Sequence, residues 1–278
     1  MVAGPKALFS GVAQNEARPE HQRDEFEIAA TASLHERRPR TLKHNDTFAV
    51  FDHSGNVTAY PGSSEGLYHR DTRHLSHYYL KIYGGVDPIL LSSSVRDDNS
   101  TLTCDLTNPD IVDASGEQFL QNDLIHIRRT RFICNNRLYE RLTLTNYQDK
   151  PGIVTFELRF ASDFADLFEV RGSVRERRGQ TLPPAVDGDT VLLSYVGLDG
   201  IARCTRLSFD PAPQRLTANL ATFEFSLPQR KSRTVFIEIA CEEPEAHWPL
   251  RYRLIRAYRT ARNDLRADFA RATALSSS

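Results

Sequence analysis

The sequence predicts a mainly β protein, with antiparallel strands in two packed sheets followed by one C-terminal α-helix. Three observations carry this. Short runs rich in Val, Ile, Thr, Tyr and Phe recur between clusters of Gly, Pro, Asn and Asp, as strands recur between turns. Within the clearest of them apolar and polar residues alternate, the period of a strand with one dry and one wet face. Only the last stretch changes to a spacing of three or four, the period of a helix. At 278 residues and 40% hydrophobic composition, the chain buries a real core, as one large β domain or two small ones.

In chain order, residues 1–42 are rich in charge, Ala, Pro and Gln without sustained periodicity, and read as a flexible arm. From Thr47, "TFAVFDHSGNVTAY" places two β-prone runs around "DHSGN", with Gly55 available for a positive φ, and predicts a hairpin. "HYYLKIYGG", "PILLSSSV", "STLTCDLT", "DLIHIRRTRFICNNRLYERLTLTNY" and "GIVTFELRFA" continue the pattern of short strands and turns. Around "CNN", Ile125, Ile127 and Phe132 stand against Leu138, Leu142 and Leu144, while Arg128, Arg129, Arg131, Glu140 and Arg141 take many of the remaining positions. The arginines are read as partners of opposite charges on neighbouring strands, each pair contributing ~0.2–1 kcal/mol. "GSVRERRGQTLPPAVDGD" reads as a connection to a second β-rich half, "TVLLSYVG", "IARCTRLSF", "ATFEFSLP" and "SRTVFIEIAC". The sandwich is expected over residues 43–247. Over 248–273, Leu250, Leu254, Tyr258, Ala261, Leu265 and Phe269 recur at helical spacing, with Pro249 suited to the first turn. The outer positions of this helix carry seven arginines against Asp264 and Asp268, a solvated face or a surface for an acidic partner.

Composition narrows the function. The 35 Lys+Arg against 36 Asp+Glu give a net charge of −1, so no global field favours nucleic acid or an anionic membrane. Cys104, Cys134, Cys204 and Cys241 are widely spaced in apolar or alternating runs, without a CxxC pair, and read as buried free thiols. No run approaches the ~20 apolar residues of a membrane span, and a cytoplasmic location is expected. There is no Gly-rich phosphate loop, GxSxG elbow or HExxH helix, which removes several enzyme classes in their usual forms.

Three polar stretches hold the candidate functional residues. "SSEGLYHRDTRHLSHYYL" packs seven residues able to carry charge into Ser63–Leu80. His69, Asp71 and His74 do not fall on one face of a strand, nor do 70, 73, 74 and 77 on a helix make a good ligand set, so no metal is expected. An ion-pair network in which Asp71 accepts from Arg70 or Arg73 makes better sense of "HRDTR", and the same groups at a sheet edge suit sugar hydroxyls. "SSSVRDDNSTLTCDLTNPDI" holds Asp97, Asp98, Asn99, Asp105, Asn108 and Asp110, residue types that close turns on their own backbone. "FASDFADLFEVRG" spaces Asp163, Asp166 and Glu169 three apart, on one face if the segment turns helically; glycoside hydrolysis uses two carboxyls ~5–9.5 Å apart.

Together and in this order, "GLYHRDTRHLSHYYL", "DNSTLTCDLTNPD" and "ASDFADLFEVRG" resemble the N-terminal domain of bacterial glycogen debranching enzymes of the amylo-alpha-1,6-glucosidase type, over roughly Leu42 to Arg271. The resemblance implies a β-sandwich of the supersandwich sort, a helical linker and, beyond it, an (α/α)6 toroid that carries the catalytic carboxylates. It implies that this chain is not catalytic alone; no cofactor is expected. Tyr68, His69, Arg70, Asp71 and Arg73, with Asp98, Asn99, Asp163, Asp166 and Glu169, are then candidate contacts to an α-glucan or to the toroid. The expected role is a non-catalytic module that braces a catalytic domain or assists α-glucan binding, with self-association into a homodimer as one way of covering apolar surface. Two alternatives stand beside it: a scaffold whose arginine-rich helix docks an acidic partner, and a small glycosidase using Asp98, Asp163, Asp166 or Glu169.

Overall fold

Strand alternation places one row of side chains from each sheet into a shared interior. The computed structural model describes residues 39–60, 62–112, 115–242 and 248–271. The largest sheet has the order β14 (Gln180–Asp187), β15 (Thr190–Val196), β16 (Ala202–Asp210), β19 (Ser232–Ala240), β12 (Arg137–Asn146), β11 (Ile125–Cys134), β8 (Leu102–Thr107) and β7 (Ile89–Val95). Facing it is a five-stranded sheet of β17 (Arg215–Leu216), β18 (Leu220–Leu227), β13 (Gly152–Ala161), β6 (His77–Ile82) and β3 (Val57–Thr58). A four-stranded sheet of β1 (Arg40–His44), β2 (Thr47–Phe51), β4 (Gly66–His69) and β5 (Thr72–Leu75) shares the same core. A short ribbon pairs β9 (Ile111–Val112) with β10 (Gln118–Leu120). All strand pairings are antiparallel. Within the five-stranded sheet Phe156 stacks on its cross-strand partner Phe223 at 4.7 Å, and across the layers Phe209 meets Phe223 edge-on at 5.9 Å, geometries aromatic rings favour. The architecture is mainly β, antiparallel and sandwich-like, with a C-terminal helix.

The outer face of the large sheet is covered by α2 (Leu250–Arg271), α1 being the single turn Leu167–Val170. Leu254, Ala257 and Ala261 pack on Phe132, Cys134 and Tyr139. Phe132 therefore faces the helix, on the opposite side of β11 from Ile125 and Ile127. Beneath α2, Arg253 meets the buried Glu238 at 2.7 Å.

Four sequence expectations change. The arm over 1–42 lies outside the described residues up to 38, and residues 40–42 belong to β1. Secondly, the run 47–60 is not a hairpin. β2 pairs with β1 across Asn45–Asp46, whereas β3 pairs with β6 in another sheet. "DHSGN" is the corner at which the chain changes sheets, closed by Gly55 N–H donating to Asp52 O at 3.1 Å. Thirdly, β14 lies within the expected connection and holds Pro183 and Pro184 between shifted registers. It is an edge strand, where missing N–H donors are tolerated.

The fourth change concerns the burial of the β11 arginines, whose pairing with an opposite charge on the neighbouring strand is as expected. Residues 125, 127, 129, 131 and 133 share one face, so Arg129 and Arg131 enter the core beside Ile125 and Ile127. They are 0% and 1% exposed, and Glu140 on β12 is 1% exposed. Arg129 Nε donates to Glu140 Oε1 at 2.7 Å, and Arg131 Nη2 to the same oxygen at 3.0 Å. Tyr78 from the opposite sheet donates its hydroxyl to Glu140 Oε2 at 2.5 Å. Burial alone would push the Glu140 carboxyl up; the two guanidiniums overcome it and hold it at about 2. The same arginines bind the corner: Arg129 Nη1 donates to Ser54 O and Asn56 Oδ1, and Arg131 Nη1 to Gly55 O. A β-carbon on Gly55, whose φ is +75°, would stand 2.7 Å from Arg131 Nη1.

Candidate functional site

The site is built around the tight turn joining β4 to β5. Arg70 and Asp71 both take positive φ, +45° and +61°, the two-residue hairpin conformation whose twist matches the flanking strands. The turn is braced by backbone bonds to the segment after β13. Arg73 N–H donates to Ala165 O at 2.8 Å, and Leu167 N–H to Asp71 O at 3.1 Å. "HRDTR" and "ASDFADLFEV" are thus one structural unit.

Its charges are paired across long chain separations. Arg73 Nε donates to both oxygens of Asp163 at 3.1 Å. Arg70 meets Glu242 at 3.2 Å, so the partners of Arg70 and Arg73 are Glu242 and Asp163 rather than the expected Asp71. His69 Nδ1 lies 2.8 Å from Thr47 Oγ1 and its Nε2 lies 3.3 Å from Glu242 Oε1. Asn136 donates to Glu242 Oε2 at 2.7 Å. Burial pushes the Glu242 carboxyl up, but the bonds from His69 and Asn136 and the Arg70 charge bring it below its ordinary range. His74, beside it, is buried with Nδ1 3.0 Å from Cys204 O, and burial lowers its pKa to about 4.

Three clefts surround the turn. The largest, about 620 Å³, is bordered by His69, Arg70, Ser194, Arg203, Cys204 and Glu242. A second, about 280 Å³, adjoins it at Thr72 and Arg203 and contains Phe164 stacked on Tyr195 at 5.5 Å, with Arg175 and Arg178. A third, about 270 Å³, lies between Tyr60, Ser63, His77 and Asp163 and shares Glu169 with the second. The arginines and carboxylates at these clefts offer hydrogen-bond donors and acceptors, while the stacked Phe164 and Tyr195 rings are themselves buried.

The sequence-predicted carboxylates are brought together, each with a structural partner. Asp166 caps α1, accepting from the N–H groups of Phe168 and Glu169, while Glu169 Oε2 accepts from the Asp166 N–H at 3.0 Å: a complete capping box. Arg175 bonds to Asp166 and Arg178 to Glu169. Burial raises the Asp166 carboxyl, and the N–H of Glu169 with Arg175 pulls it below its usual range. Glu65 is the carboxyl near the turn held above its ordinary value, by burial, and it accepts from the Thr58 N–H at 2.7 Å. Asp98 and Asn99 belong to the β7–β8 turn. Asn99 has φ +53° and Asp98 Oδ1 accepts from Ser100, so these two close a turn rather than join the site. Tyr68 is 1% exposed, stacks on Phe48 and donates to Ser64 O; it is a core residue, not a surface contact. Cys104, Cys134 and Cys241 are buried thiols outside any disulfide, and Cys204 is half-buried at the largest cleft.

Glu242, Arg203, Asn136 and Tyr195 were not singled out by the sequence. Each lies in a segment read only as strand, turn or strand end, and reaches the site through sheet topology. Among the described residues no three His, Cys, Asp or Glu side chains converge as metal ligands. None of the described helices is long and apolar enough to cross a membrane.

A family model described as the N-terminal domain of (some) glycogen debranching enzymes matches residues 42–238. No curated protein matches the chain. Among solved structures, a provisionally assigned kojibiose phosphorylase from human microbiome aligns at 9% identity and a TM-score of 0.47, over 81% of this chain and 33% of its own length. The chain thus spans about a third of that protein. The Slr1438 protein from Synechocystis sp. PCC 6803 aligns at 9% identity and 0.42, over 74% and 96%. A GalM/aldose epimerase homologue from C. elegans aligns at 8% and 0.37, over 73% and 98%.

Proposed function

Because the chain belongs to the family of N-terminal domains of (some) glycogen debranching enzymes, we propose that it is the non-catalytic β-sandwich module of a glycogen-debranching system. Its cleft at His69, Arg203 and Glu242 takes an α-glucan segment, and the surrounding polar rim braces the domain that performs hydrolysis. That partner is of the (α/α)6 type implied by the resemblance.

The observation that carries this reading is the pairing of the carboxylates. Glycoside hydrolysis needs one carboxyl kept protonated near neutrality and a second one free to act as base or nucleophile. Here Asp163 is engaged by Arg73, Asp166 and Glu169 by a capping box and two arginines, and Glu242 by His69, Arg70 and Asn136, while Glu65, which burial raises, is tied to the Thr58 N–H. Such groups fix loops and present hydrogen bonds rather than exchange protons with a substrate. The test is glucose and maltooligosaccharide release from a branched α-glucan limit dextrin by the purified, folded chain. No release is expected; release abolished by D163N, D166N or E169Q without unfolding would make the chain a glycosidase.

A further inference from the structure

The helix α2 has a second face. Its packed side, Leu254, Ala257 and Ala261, lies on the large sheet, and the 3.6-residue period therefore turns Tyr252, Ile255, Arg256, Arg259, Arg262 and Arg266 away from it. All six are exposed. Trp248, just before the helix, joins this face, its ring 5.5 Å from that of Tyr252. Trp248, Tyr252 and Ile255 are 57%, 54% and 44% exposed, so the stripe is aromatic and aliphatic at one end and cationic along the rest.

The charge of this stripe is uncompensated. Among the described residues Arg256, Arg259, Arg262 and Arg266 make no ion pair, and Asp264 of the same helix is taken by His44 at 3.4 Å. The whole chain carries a net charge of −1, so the positive field is local to α2. Four like charges on one face repel a second copy of that face, and a neutral glucan leaves them uncompensated. The complementary surface is anionic, and from Tyr252 to Arg266 the helix offers it a length of about 21 Å.

We propose that this face of α2 is a docking surface for an anionic lipid membrane, with Trp248, Tyr252 and Ile255 entering the headgroup boundary and Arg256, Arg259, Arg262 and Arg266 holding lipid phosphates. Trp and Tyr rings suit a boundary that is apolar on one side and wet on the other, and an arginine stem lies along apolar surface while its guanidinium binds phosphate bidentately. Side chains this exposed enter a fluid surface without needing a matching pocket. The helix lies in the plane of the membrane, the mode open to an amphipathic helix too polar to span it.

Co-sedimentation of the full chain at low salt with vesicles of phosphatidylcholine, and of phosphatidylcholine mixed equally with phosphatidylserine, tests this. Emission of Trp248, the only tryptophan of the chain, is the second readout. Binding to the mixed vesicles alone is expected, with a blue shift of the emission and loss of binding at high salt. R259Q and R266Q should each weaken it about fivefold, and W248A about tenfold; all three positions are exposed. E242A and R203A should bind vesicles as the wild type does, so failure here is distinguishable from failure of the glucan reading. Equal binding to both kinds of vesicle, or binding unchanged in R259Q, R266Q and W248A, would overturn the proposal. So would absence of binding to either, which would give the stripe to an acidic protein surface instead.

Discussion

Arg73 and Asp163, ninety residues apart in sequence, are joined by two 3.1 Å bonds from one guanidinium nitrogen to both carboxylate oxygens. The pair ties the β4–β5 turn to the end of β13, and both residues line the third cleft. Arg73 is largely buried, so removing Asp163 leaves a guanidinium with its main partner gone. D163N is expected to cost about 1–3 kcal/mol of stability. A double-mutant cycle with R73M in urea should show strong coupling between the positions, with the double variant less impaired than additivity requires.

His74 and Glu140 act on stability in different pH windows. The folded-state pKa of His74 is lowered to about 4 from an ordinary 6.5, so its contribution is full above 6.5 and is lost as pH falls towards 4, about 3 kcal/mol in all. Glu140 is lowered to about 2 from 4.5, so its contribution is full above 4.5 and is lost between 4.5 and 2. Unfolding midpoints of H74F should therefore flatten the pH dependence between 6.5 and 4 and leave the lower window intact. An unchanged slope in the upper window would contradict this assignment.

The buried arginines give a test of the core. E140Q leaves Arg129 and Arg131 with no countercharge where both are essentially unexposed and is expected to cost about 3–5 kcal/mol. Replacing Arg129, Arg131 and Glu140 together by apolar residues of similar volume should cost less than E140Q alone, because no buried charge is then left uncompensated. Thermal unfolding of the two variants decides between these outcomes.

At α1, D166A is expected to cost about 1 kcal/mol and D166N much less, since Asn also caps a helix. Both should leave glucan affinity nearly unchanged if the carboxylate serves the cap. A large loss of affinity in D166N would instead place Asp166 in direct contact with the ligand.

The strands were legible in the sequence because alternation survives wherever one face is dry, as in β11, β12 and β13. For Arg129 and Arg131 the pairing with an opposite charge on the neighbouring strand was legible but the burial was not, because charge argued for water and only Glu140 and the "DHSGN" corner together reveal what satisfies them inside. Gly55 was legible as a turn, but not as a turn between sheets, since pairing partners are non-local. β14 was hidden by Pro183 and Pro184, which only an edge position permits. At the site, "HRDTR" and "ASDFADLFEV" were visible as motifs, whereas Glu242, Arg203 and Asn136 arrive from strand ends that carry no local signal.

The most direct test of the proposed function is maltooligosaccharide affinity, measured by calorimetry on the wild-type chain and on E242A and R203A, with product release followed in the same samples. Saturable binding without release is expected, weakened by about tenfold in both variants. Wild-type protein that binds no glucan, or binds equally well after both substitutions, would contradict it.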